Sequence, residues 1–74
     1  MASESEIRVG VNVRFQYGHA FVLGNVKEDR GPIGKGGRKL FRVTFQSEPG
    51  YESNIELPAS ELQIVHHELL SLPH

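Results

Sequence analysis

Residues 7–17, IRVGVNVRFQY, decide the fold. Ile7, Val9, Val11, Val13, Phe15 and Tyr17 alternate with Arg8, Gly10, Asn12, Arg14 and Gln16. A period of two sustained over this length predicts an amphipathic strand, with one face buried and the other wet. Gly18-His19 then supplies a tight turn, so the next strand must run back beside the first. That run, residues 20–27, is apolar at Phe21, Val22, Leu23 and Val26 with Gly24 at its centre. Both faces are apolar near its start. The glycine predicts a bulge or sharp bend that lets the strand turn a corner.

Working outward, the alternation returns at residues 40–46. Phe41, Val43 and Phe45 share one side; Arg42, Thr44 and Gln46 share the other. Pro49-Gly50 marks a turn, and Ile55 and Leu57 mark a fourth short strand. Residues 58–62, PASEL, are too few for a stable α-helix and suit a single 3₁₀ turn opened by Pro58. Leu62 and Ile64 begin a fifth strand. The expected strands lie near 10–17, 20–28, 39–47, 53–57 and 62–66, with the one-turn helix at 59–61. Their core is Val11, Val13, Phe15, Val26, Phe41, Val43, Phe45, Ile55, Leu57 and Leu62. Residues 1–6 read as a disordered lead, 7–66 as the domain, and 67–74 as a C-terminal tail.

The order of these signals resembles an SH3-like barrel of the Tudor, KOW and chromo-barrel type. The matching features are V-x-V-x-F at 11–15, G-x-V at 24–26, R-V-x-F at 42–45 and L-P-A-S-E-L at 57–62. The resemblance implies an all-β chain, a single small five-stranded antiparallel barrel with a 3₁₀ turn before the last strand. About 60 residues cannot bury the apolar face of a flat sheet, whereas a bent barrel can. In Tudor-like barrels loop aromatics form a cage for methylated side chains, by cation–π attraction. Here Tyr17, Phe21 and Tyr51 are the corresponding candidate aromatic rim. A polyproline-binding SH3 domain would show an acidic, tyrosine-bearing first loop and a ligand-face tryptophan. This chain has no tryptophan and its long loop is basic, so that function is set aside.

The candidate binding element is residues 29–39, DRGPIGKGGRK. Four glycines allow close backbone approach, and Arg30, Lys35, Arg38 and Lys39 add positive charge, a combination suited to an anion. Because Arg30, flanked by Asp29 and Gly31, can be held by a local carboxylate, Lys35, Arg38 and Lys39 are the stronger candidates. The glycines make residues 30–38 the expected most mobile internal segment. A nucleotide-binding P-loop is excluded: Gly36, not Ser or Thr, follows Lys35, and no strand–loop–helix unit is present.

The net charge of −1 hides a segregation. Residues 27–42 hold six cations against Glu28 and Asp29, while residues 43–74 hold five glutamates and neither Lys nor Arg. Such a distribution orients a partner even when the total is near zero. The chain has no cysteine, so disulfides and thiolate metal sites are ruled out. His66 and His67 are adjacent and would face opposite sides of a strand, His19 sits in a turn and His74 ends the chain, so no metal site is expected. Ser60 beside Glu61 is a turn pair, and no nucleophile–base constellation occurs. The expectation is therefore no enzyme, no cofactor and no small-molecule substrate. No apolar run spans a bilayer and the MASESE start is the opposite of a signal peptide, which points to a cytoplasmic chain without membrane association.

Three functions remain. The leading one is an interaction module whose loop contacts another protein with an acidic surface. The second is a KOW- or Tudor-like barrel associated with RNA or nucleoprotein; a sequence pI of about 6.4 argues against nonspecific nucleic-acid affinity. The third is an accessory subunit of a larger enzyme complex.

Overall fold

The alternating runs become strands β1 (Asn12–Tyr17), β2 (Ala20–Asp29), β3 (Leu40–Glu48), β4 (Tyr51–Pro58) and β5 (Gln63–Ile64). The computed structural model describes residues 3–65. All pairings are antiparallel, and the sheet order is β4-β3-β2-β1-β5. Among the described residues the helical elements are short 3₁₀ turns, at Glu4–Glu6, Lys35–Gly37 and Ala59–Glu61. None is long and apolar enough to cross a membrane. The sheet does not close: β4 and β5 end it on opposite edges. The tail at 67–74, together with His66, His67 and His74, lies outside the described residues.

Turn chemistry sets the register. Gly18, at φ 65°, and His19 connect β1 to β2 with Tyr17 opposite Ala20. Pro49 and Gly50 connect β3 to β4 with Glu48 opposite Tyr51. Pro58 closes β4 and enters the Ala59–Glu61 turn, which carries the chain to β5 beside β1.

One face of the sheet holds the core of Ile7, Val13, Phe15, Val26, Phe41, Val43, Phe45, Ala59 and Leu62. Phe15 and Phe45 meet edge to face at 5.2 Å between centroids, the arrangement favoured by ring quadrupoles. Val11, Ile55 and Leu57, expected inside, are only partly buried because they lie at the margins of the sheet. Val9 breaks the opening alternation and is 63% exposed. The cause is a turn over residues 8–11, closed by Val11 N–H donating to the Arg8 carbonyl, with Gly10 at φ 97°. Ile7 nevertheless returns to the core, and the strand proper starts at Asn12.

Gly24 is not a bulge. It pairs in register with Val13 and Phe45, and the irregularity lies instead between Val26 and Glu28. A Cβ at Gly24 would sit 2.6 Å from Val43 Cγ1 and 2.7 Å from the Thr44 carbonyl oxygen. The glycine is needed for close packing of β2 on the core.

The lead, read from sequence as disordered over 1–6, forms a turn at Glu4–Glu6. The Glu6 carboxylate accepts from the Ser3 N–H at 2.9 Å. Glu4 accepts from the Lys39 N–H at 3.2 Å, tying the turn to the long loop.

Candidate functional site

The loop begins where β2 ends. Arg30 N–H donates to the Leu40 carbonyl at 2.8 Å and Leu40 N–H to the Gly31 carbonyl at 3.1 Å, so the β2–β3 pairing extends into its base. The Asp29 carboxylate accepts from the Gly31 N–H at 2.9 Å, an Asx-type turn. Pro32 sits at the centre of a three-residue turn closed by Ile33 N–H and the Gly31 carbonyl. Gly34 N–H then reaches the Arg38 carbonyl at 2.8 Å, and Gly37 N–H the Gly34 carbonyl at 3.0 Å. Gly36 and Gly37, at φ 73° and 81°, reverse the chain at the tip, a conformation costly for any residue with a Cβ. Residues 30–38, expected to be the most mobile internal segment, carry a hydrogen-bonded framework of their own.

Charge is distributed unevenly over that framework. Arg30 pairs with Glu28 at 3.2 Å and with Glu56 on β4 at 2.8 Å. Lys39 pairs with Asp29 at 3.1 Å. Arg42 on β3 also takes Glu28, at 3.1 Å, and donates to the Asn54 side chain. Hydrogen bonding from Arg42 and then Arg30 holds the Glu28 carboxyl below its ordinary pKa. The Gly31 N–H, followed by Lys39, does the same for Asp29. Two of the four candidate cations are therefore committed to the scaffold. Lys35 and Arg38 are exposed at the tip and make no ion pair among the described residues. Ile33 stands exposed in the same loop, an apolar side chain that the loop's glycine and charge pattern did not single out.

The candidate aromatic rim does not assemble. Tyr17 shares the Phe15 face and packs on Phe45 at 4.8 Å. Phe21 pairs across from Gln16 and so lies on the opposite face of the sheet, where the Arg14 guanidinium covers its ring at 4.7 Å. Tyr51 is 67% exposed, with no ring partner among the described residues. Strand parity separates Phe21 from Tyr17, because rings at an odd offset across a hairpin face away from each other. Phe21 instead helps line an open cleft of about 320 Å³ between Arg14 and Gln16 on one side and residues 60–63 on the other.

No family model matches this chain, and comparisons with curated proteins and with solved structures return no match.

Proposed function

We propose that this chain is a non-enzymatic interaction module built on an open five-stranded sheet of SH3-like strand order, which grips an anionic protein surface with the tip of the 29–39 loop. The fold reading is supported by the placement of β5 beside β1 and by the 3₁₀ turn between β4 and β5. One observation carries the functional reading. Internal ion pairs take up Arg30 and Lys39, while the hydrogen-bonded loop leaves Lys35 and Arg38 exposed. A pre-organised loop loses little conformational entropy on binding. Arg38 forks onto a carboxylate with two parallel hydrogen bonds, whereas Lys35 acts as a point charge. Ile33 adds apolar contact beside the charge and favours a protein over a bare phosphate backbone.

A nucleic-acid reading is favoured by a different observation, the exposed Phe21 ring capped by Arg14 on the sheet's outer face. Stacked aromatic and arginine side chains receive single-stranded bases. Fluorescence anisotropy separates the two readings, using a glutamate-rich peptide and a single-stranded RNA as probes with the full chain. The protein reading expects peptide binding lost in the Lys35→Ala, Arg38→Ala double variant and indifferent to Phe21→Ala. RNA binding lost with Phe21→Ala, without peptide binding, would overturn it.

A further inference from the structure

Strand β4 ends the sheet, and its second hydrogen-bonding edge meets no other strand among the described residues. It runs for eight residues, about 27 Å at ~3.4 Å per residue, long enough to seat an added strand. An unpaired edge of this length is a template for β-strand addition, in which main-chain bonds give affinity and alternate side chains give specificity.

The two faces of that edge say what would fit. Ser53, Ile55 and Leu57 point toward the core side yet remain only half-buried, so Ile55 and Leu57 still offer apolar surface. Glu52, Asn54 and Glu56 are exposed on the other side, beside Gln46, Thr44 and Arg42 of β3. Glu56 is held by Arg30, whereas Glu52 has no ion pair among the described residues. A second copy of this chain is a poor occupant. Antiparallel self-pairing centred on Asn54 would set Glu52 of one copy against Glu56 of the other, and like charges directly opposite repel.

We propose that the β4 edge accepts an extended peptide that alternates apolar with basic residues. Its apolar side chains cover Ile55 and Leu57, and a lysine or arginine pairs across the strands with Glu52. This acidic edge is distinct from the loop tip carrying Lys35 and Arg38, and the proposal stands whether or not that tip binds an acidic partner.

The test is a titration of the isotope-labelled full chain with a seven-residue peptide alternating lysine and valine. Its glutamate–valine counterpart and a blockwise scramble of the same composition serve as comparisons. The expected result is saturable shift changes across Tyr51–Pro58, and slowed exchange of the outer-edge amides within residues 51–57, with the alternating lysine peptide alone. Glu52→Lys should weaken that binding roughly five- to tenfold, as one attractive cross-strand pair becomes repulsive, and should admit the glutamate peptide. Equal responses to the alternating and scrambled peptides would overturn the proposal, as would changes confined to other strands. Outer-edge amides of β4 already as protected in the free chain as those of β3 would overturn it too, since the edge would then be occupied by a second copy or by another segment of this chain.

Discussion

Replacing Gly24 by alanine tests how tightly β2 is pressed onto the core. The added methyl would lie 2.6 Å from Val43 Cγ1, 2.7 Å from the Thr44 carbonyl oxygen and 3.1 Å from Phe15 Cε1. The first two distances fall about 1 Å short of ordinary contact. None of these neighbours yields cheaply: Val43 and Phe15 are fully buried, and the carbonyl belongs to the backbone of β3. Overpacking of this kind costs about 1–3 kcal/mol and sometimes more. Reduced freedom of the unfolded chain returns about 0.4–1 kcal/mol. With two neighbours inside contact distance at once the cost sits at the upper end of that range, so the net loss should be about 2 kcal/mol, from a total of roughly 4–11 kcal/mol for a domain of this length. In melting temperature that is a fall of roughly 8–16 °C. Urea denaturation with an unchanged slope is the assay, and Gly18→Ala is the control. Open space surrounds Gly18, so only backbone strain of about 1 kcal/mol applies there. A Gly24→Ala loss below about 0.5 kcal/mol would refute the close approach of β2 and β3.

Three further outcomes follow from the same packing and charge arrangement. Phe41→Ala should cost about 3–5 kcal/mol by chemical denaturation, since the ring is wholly buried and leaves a cavity. Glu28 and Asp29 have folded-state pKa values below their ordinary ones, so their contribution is complete above about pH 5 and is lost as pH falls through the lowered values. The urea midpoint should therefore drop in that acidic window, and Asp29→Asn should flatten the drop. Asp29→Ala, which removes both the Gly31 cap and the Lys39 ion pair, should speed amide exchange at Gly31 and Leu40 while leaving β1 protected.

Local patterns carried most of the fold into the sequence. Alternation located the strands, Pro49-Gly50 and Gly18-His19 their turns, and the PASEL run the 3₁₀ turn, because each rests on contacts between near neighbours. What required the third dimension was less legible. Val9 obeyed the period of two but left the core when residues 8–11 turned. The role of Gly24 depends on Val43, which only the β2–β3 register brings near. The site suffered most from this. That Arg30 would be spent on Glu56, and that Glu4 would reach the Lys39 N–H thirty-five residues away, follows from strand order and not from spacing. Within the candidate rim of Tyr17, Phe21 and Tyr51, the separation of Phe21 from Tyr17 has a reason the sequence did hold. Pairing Tyr17 with Ala20 across a two-residue turn places Phe21 on the face opposite Tyr17.

In the proposed function the loop is held together by the ion pairs of Arg30 and Lys39 and offers Lys35 and Arg38 to an acidic partner. The most direct measurement is a two-dimensional NMR titration of the full chain with a glutamate-rich peptide, repeated for the Lys35→Glu, Arg38→Glu double variant. Saturable changes centred on residues 33–38 are expected, weakening as salt rises because exposed charges are screened beyond about 8 Å at ~0.15 M. They should be lost in a double variant whose strand signals are unmoved. Undiminished binding by that variant, or changes centred elsewhere in the wild-type chain, would contradict it.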